Sequence, residues 1–323
     1  KAECGESSMR KFSSAAAAMA VTFGMFGQAS AADLQAGERI TSATHDWYVS
    51  IAALGLQRST PTGGAIVAAN PAGTPFMTGA DFDFGWSPGI DAAIGVGLFG
   101  SEAIEARVMY SRMDAGYNFT SPGNFIGVGF TGPGGTLFVS EYETTLMSWE
   151  ANWRHRYNDR LSVLAGFRSI GIEDVMSTVL NANVATGLYE ADNNMLGVQV
   201  GAQFSVFEQS NPFQLDVFGK LGIFSNNSEA GIREFQGNNF IGEFQSGLVR
   251  ETNYAAELGV TAGYKVLENV SLTAGYQLLW VNDVALASNA ASGSLLNPSL
   301  LRTNVFRDDI LFHGFNAGLK VSF

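Results

Sequence analysis

The chain has 323 residues, 46% of them hydrophobic and 15% charged, against about 25% charged in ordinary soluble domains. Its 30 acidic and 18 basic residues give a formal charge of −12 at pH 7, which argues against a nucleic-acid partner, because phosphates are neutralised by Lys and Arg. The single cysteine, Cys4, excludes an internal disulfide and any CxxC or zinc arrangement.

Residues 9–31, from Met9 through Ala31, read as a secretory signal peptide. Arg10 and Lys11 supply the basic start, an apolar stretch follows, and Ala29-Ser30-Ala31 is a small-residue cleavage site. Residues 1–8 then read as sequence upstream of the true start, and 32–323 as one exported domain. Removing Lys1, Arg10 and Lys11 with Glu3 and Glu6 leaves 15 basic and 28 acidic residues, a charge of −13. Beyond this segment no apolar run reaches the ~18 residues of a membrane-spanning helix. A barrel needs only about 10 residues per crossing.

The export-ready part alternates with the period of a strand. In Asp46–Leu56, Trp47, Val49, Ile51 and Ala53 share one face, with Tyr48, Ser50 and Ala52 opposite. Ser59–Ala80, rich in Gly, Pro and Thr, reads as a loop. Ile90–Phe99 and Ala103–Met113 alternate on either side of a Gly100-Ser101 turn, and Gly116–Glu143 reads as a second long loop. Thr145–Tyr157 carries Met147, Trp149, Ala151 and Trp153 on one face and Ser148, Glu150, Asn152, Arg154 and Arg156 on the other. Leu161–Ile170 follows a turn at Asn158-Asp159. A loop over Glu173–Glu190 leads to Met195–Phe207, and a short connection leads on to Phe213–Phe224. The polar stretch Ser225–Gly247 reads as a loop before Tyr254–Val266, then Glu268-Asn269 turns the chain into Val270–Trp280. Asn282–Arg307 is the last loop, and the final strand begins near Asp309.

Long and short connections therefore alternate, the rhythm of a bacterial outer-membrane barrel with long external loops and tight periplasmic turns. The expected fold is all-β: a transmembrane antiparallel up-and-down β-barrel of about ten strands, with twelve open if Ser59–Ala80 or Ser225–Gly247 hides a hairpin. An even number puts both termini on the periplasmic side of a bacterial outer membrane. Aromatics near strand ends (Trp47, Tyr157, Tyr254, Tyr264, Trp280) suit interfacial girdles. The ending Phe315, Ala317, Leu319, Val321, Phe323 is an apolar row. Asn316, Gly318, Val321 and Phe323 fit a C-terminal assembly signal for the barrel-assembly machinery.

The non-lipid faces carry the candidate lumen charges: Asp91, Glu105, Glu150, Asp216 and Glu257 against Arg107, Arg154, Arg156, Arg168, Lys220, Lys265 and Lys320. Inside a narrow barrel they must pair or stay wet. The expected function is a narrow porin-like channel for small solutes or ions. The alternative is a structural or adhesive surface barrel with a closed, salt-bridged lumen. No enzyme activity is expected: His45, His155 and His313 are far apart in sequence, and neither an Asp/His rim pair nor a lipid-face His/Ser pair stands out. No cofactor or metal is expected, since Asp81-Phe-Asp83 and Asp308-Asp309 match no calcium loop. Expected partners are outer-membrane lipid and lipopolysaccharide, with a homo-oligomer open. The Phe-rich loops, with Phe119, Phe125, Phe130, Phe138, Phe235, Phe240 and Phe244, are expected to pack into the barrel mouth.

Asp192–Gly201 (DNNMLGVQVG), Gly275–Trp280 (GYQLLW) and Ile310–Leu319 (ILFHGFNAGL) resemble the putative β-barrel porin family known from planctomycete-type genomes. The resemblance runs over the strands from about residue 81 to the end. It implies the barrel fold and brings no catalytic or binding residues with it.

Overall fold

The computed structural model describes residues 47–62, 64–69, 74–98, 100–127, 130–181, 185–207, 212–236, 239–295 and 304–323. The signal-like segment, the first eight residues and His45 lie outside them. In chain order the strands are β1 (Trp47–Arg58), β2 (Ala65–Ala68), β3 (Pro75–Thr78), β4 (Ser87–Gly97), β5 (Glu102–Thr120), β6 (Phe125–Gly127), β7 (Phe130–Gly132), β8 (Leu137–Arg156), β9 (Leu161–Leu180), β10 (Ala185–Ser205), β11 (Phe213–Gln236), β12 (Asn239–Gln245), β13 (Val249–Lys265), β14 (Val270–Ala285) and β15 (Arg307–Ser322). One short helix, α1 (Ala287–Gly293), precedes β15.

Ten of these strands close an antiparallel barrel in the order β1-β4-β5-β8-β9-β10-β11-β13-β14-β15, and β15 returns to β1. The closing register sets Ile51 opposite Leu319 and Ala53 opposite Ala317. Trp47 stacks on Phe323 with ring centroids 4.0 Å apart. The last strand thus seals the first, as its pattern predicts. Trp47, Phe323 and the tight connections β4–β5, β8–β9, β10–β11 and β13–β14 share one end, called here the turn end. Both stretches that left twelve strands open do hide short strands, but outside the barrel wall. β2 and β3 belong to a separate sheet ordered β3-β2-β6-β7, and β12 only extends the upper part of β11.

The strands are much longer than a bilayer needs. β8 and β9 have 20 residues each and β11 has 24, roughly twice the 9–11 of a crossing strand. Three expected loops are corrected by this. Most of Gly116–Glu143, of Glu173–Glu190 and of Ser225–Gly247 is strand, and β9 passes to β10 through only 181–184.

The reason is an inversion of the pleat partway along each strand. On β10, Leu196, Val198, Val200 and Phe204 point out and are exposed, while Gln199 is buried inside. The nine residues 196–204 rise about 30 Å along the strand and, tilted by about 40°, cover the ~25 Å apolar band of an outer-membrane barrel. Above them the faces exchange character. Met195, Ala191 and Tyr189 are buried inside, and Asp192 and Asn194 are exposed outside. On β8, Trp149 and Trp153 face out and Glu150 and Asn152 face in, but higher up Leu146, Tyr142 and Phe138 turn inward and Glu141 outward. No register shift accompanies the change on β8, β9 or β10. The lower half of the wall is therefore greasy outside and polar inside, and the upper half is the reverse, as in a soluble barrel.

The upper half is filled. Leu54, Leu56, Ile172, Met176, Leu279, Ile310 and Phe312 come from the wall, Ile66, Val67, Met77, Phe82 and Phe84 from the β1–β4 connection, and Ala287, Ala290 and Ala291 from α1. All form one buried apolar cluster. Phe119 and Phe125 pack on Phe138 at centroid distances of 4.6 and 4.8 Å, the inward packing expected of the Phe-rich loops. Phe240 departs from it and is exposed.

Candidate functional site: a charge layer and its vestibule

Below the apolar plug, strand positions that face inward bring charged side chains to one level of the barrel. Arg107 is its hub. Its guanidinium grips Asp91 through Nη2 at 2.6 Å and Nε at 3.0 Å, and donates through Nη1 to Glu257 at 2.6 Å and Glu150 at 3.3 Å. Arg168 reaches Glu257 at 2.5 Å and Ser148 at 3.0 Å. Lys220 donates to both oxygens of Glu150, at 3.0 and 2.8 Å. Gln199 and Asn152 add amide donors to Glu150 at 2.8 and 3.0 Å, and Gln277 accepts from Arg107 at 3.0 Å. Of the barrel strands, only β1 and β15 contribute none of these groups.

The carboxylates of Glu150 and Glu257 expose 2% and 1% of their side chains, and Arg168 exposes 2%. Isolated charges at such depth cost several kcal/mol each. Here each carboxylate accepts from at least two cations, which offsets that cost. The layer crosses the lumen from wall to wall.

Toward the turn end the layer gives onto a polar vestibule of about 190 Å³, lined among others by Tyr48, Glu105, Arg154, Gln203, Asp216 and Lys320. The Tyr48 hydroxyl donates to Glu105, and Arg154 pairs with Glu105 at 3.0 Å and donates to Gln203 at 2.9 Å. Tyr48 reaches across β4 because Gly95 lies under its ring, where a Cβ would collide with it.

Ten of the twelve candidate lumen charges are thus gathered in the layer and vestibule. They comprise Arg107, Arg154, Arg168, Lys220 and Lys320 against Asp91, Glu105, Glu150, Asp216 and Glu257, five of each sign. Arg156 and Lys265 are not brought in. Each ends its strand at a tight turn, and Arg156 is exposed. Of the terminal residues, Asn316 and Lys320 line the vestibule, and Phe323 stacks on Trp47 at the outer rim. Gly318 gives the close approach to β1 that a Cβ would block, and Val321 pairs with Val49 and Val270.

A second polar group, unforeseen in the sequence, lies inside the apolar plug. Arg58 donates to Asp174 at 2.7 Å and also to Thr144. Asp174 further accepts from Thr144 at 2.6 Å, from the Tyr142 hydroxyl at 2.5 Å and from the Ala287 N–H at 3.0 Å. The Arg58 guanidinium lies 4.5 Å from the Phe84 ring centroid. Burial and the adjoining Asp174 carboxylate push the Tyr142 hydroxyl well above its ordinary pKa, so it remains a donor. Asn193 bonds both ways with the backbone of Ala285, at 2.8 Å each. Asp174 thus ties α1 to the wall, and Asn193 fixes the end of β14 that leads into it. The signal for Asp174 was a lone acid in the apolar row Ile170, Ile172, Met176.

Residues 128–323 match the model of the family described as putative beta barrel porin-7, BBP7. The chain belongs to this family. No curated protein matches this BBP7 chain. Among solved structures it is similar to the outer membrane protease OmpT from Escherichia coli, with 11% identity over 86% of this chain and 97% of that one and a TM-score of 0.49. It is similar also to the translocator domain of the autotransporter NalP from Neisseria meningitidis (12% identity, 88% and 90% covered, TM-score 0.44). Neisserial surface protein A gives 12% identity, 86% and 97% covered, and a TM-score of 0.31. Likenesses this distant bear on neither substrate nor activity. The fold of the BBP7 chain is that of an outer-membrane β-barrel.

Proposed function

We propose that this protein is an outer-membrane barrel that is shut in its resting state and serves as a structural, surface-displaying element. The observation that carries the reading is the charge layer, in which Arg107, Glu150, Arg168, Lys220 and Glu257 bond one another across the lumen. The layer's three cations, Arg107, Arg168 and Lys220, balanced by Asp91, Glu150 and Glu257, need no mobile counter-ions. A conducting filter has a different requirement, because bound ions must be able to leave. The apolar plug above the layer supports the same conclusion.

In this reading the turn end, with Trp47 and Phe323, faces the periplasm, and the upper half of the barrel stands above the outer leaflet and its lipopolysaccharide. Partners then meet the protein on the polar outer wall of that upper half. No catalytic step belongs to the proposal. Ser101 and Glu102 both approach the same ring nitrogen of His155, Nδ1, at 3.5 and 2.7 Å. A Ser-His-acid relay needs the nucleophile and the orienting carboxylate on opposite nitrogens of the base. His313 bonds Tyr276 on the outer wall.

Planar-bilayer recording of the purified protein tests the reading. The expected result is no steady current at any holding potential. A reproducible unitary conductance in the unsubstituted protein would overturn it in favour of a narrow ion or solute channel.

A further inference from the structure

The vestibule holds two charges that the layer leaves over. Asp91, Glu105, Arg107, Arg154 and Lys220 all engage in ion pairs. Lys320 and Asp216 line the same 190 Å³ cavity and form none among the described residues. Asp216 accepts a hydrogen bond from Ser205, at 2.6 Å. The Lys320 ammonium lies 4.2 Å from the Tyr48 ring centroid, a cation–π contact that orients it while its three donors remain available for an acceptor.

Asp216 stands on β11 and Lys320 on β15, three steps apart round the wall through β13 and β14. That is about 14 Å between backbones at the ordinary strand spacing, which the inward-pointing Lys and Asp side chains narrow to a gap that a small molecule can bridge. The cavity has about the volume of half a dozen waters. It opens at the turn end, where the strands end in tight connections.

We infer that the vestibule is a binding site for a small zwitterion, a solute with a carboxylate and an ammonium on neighbouring carbons as in a free α-amino acid. Its carboxylate meets Lys320, and its ammonium meets Asp216. The Tyr48 ring forms one wall and the floor is the closed charge layer. A ligand of single charge satisfies one of the two groups and leaves the other as it was. A zwitterion satisfies both and keeps the lumen neutral. The same chemistry exists in an ethanolamine phospholipid head group. The site lies inside the barrel, however, and a lipid entering it would bring two acyl chains into water, so a free solute is the occupant. The inference needs only the vestibule and is independent of whether the plug above it ever opens.

The test is isothermal titration of the detergent-solubilised full chain with glycine and alanine, beside acetate, methylammonium and phosphoethanolamine as separate arms. Saturable binding of the amino acids, with a dissociation constant on the order of 1 mM or tighter, is expected, with acetate and methylammonium each at least about tenfold weaker. Asp216→Asn and Lys320→Gln should each lower amino-acid affinity about tenfold or more, with heat-modifiable gel migration confirming that both variants fold. Acetate binding as well as glycine, or undiminished glycine binding in Asp216→Asn, would reduce the site to an anion site and overturn the inference. So would the absence of saturable amino-acid binding. Phosphoethanolamine outcompeting both amino acids would overturn the choice of a free amino acid. The ligand comparison is made on the unsubstituted protein and decides the matter even where a variant fails to fold.

Discussion

Arg58 is the residue whose environment and chemistry are most at odds. Its side chain is fully buried beside Phe84 and Tyr142, in a part of the barrel otherwise filled with Ile, Leu, Met and Ala. Asp174 keeps it there, and Asp174 in turn accepts from Thr144, Tyr142 and Ala287. Truncating one member of a buried ion pair strands the other charge and costs about 3–5 kcal/mol, whereas replacing both by apolar groups is often close to neutral. Asp174→Ala is therefore expected to destabilise the folded barrel by about that amount, and the pair Arg58→Met with Asp174→Leu to recover most of the loss. Urea unfolding in detergent, followed by loss of heat-modifiable migration, measures both. Equal destabilisation by the single and double variants would show that Asp174 acts through its hydrogen bonds to the α1 connection and not through its charge.

The inversion of the pleat governs each long strand, and β10 displays it most plainly. Val198 and Asp192 lie on the same outward face of one strand, six residues apart, yet Val198 is an exposed apolar side chain in the lower band and Asp192 an exposed acid above it. If the lower band is the lipid crossing, Val198→Arg should destabilise by about 2–4 kcal/mol in lipid, the mid-membrane range for Arg on a barrel wall. Glu141→Arg, on the exposed outer face of β8 above the band, should cost within about 0.5 kcal/mol, as a surface change does. Unfolding titrations in phospholipid vesicles compare them directly, and similar losses at both positions would remove the assignment of the membrane band. The same inversion explains what the sequence disclosed. Alternation with one apolar phase marked the lower half of the ten barrel strands, their closure and ten of the lumen charges. Above residues such as Met195 on β10 and Leu146 on β8 the apolar phase shifts by one. A pattern followed in one phase ends there, so the strand continuation looked like loop. Arg58 and Asp174 went unnoticed because they sit in the shifted phase. Arg156 and Lys265 keep the inward phase by position, but the strands end before the lumen encloses them.

At the scale of the molecule, two seals of different origin close the same barrel. The charge layer is built from strand side chains and cannot leave without dismantling the wall. The plug is built largely from connections, the β1–β4 segment and the stretch around α1, held by Asp174 and Asn193. A barrel of about eight strands is just filled by its own side chains, so ten strands leave room in the upper half that the connections occupy. Replacing Ala287–Gly293 by a Gly-Ser linker should leave the barrel folded, because the ladder of ten strands stays intact, and should admit water as far as the layer. Current should still be absent. Adding small uncharged residues at the layer, Asp91→Ser, Arg107→Ser, Glu150→Ser, Arg168→Ser, Lys220→Ser and Glu257→Ser together, removes three charges of each sign, keeps the sum neutral and removes the cross-lumen bonds. Steady conductance is expected only when both changes are present. Conductance from the α1 replacement alone would mean that the ionic layer passes ions and that the plug is the sole gate, which would turn the structural barrel into a gated channel.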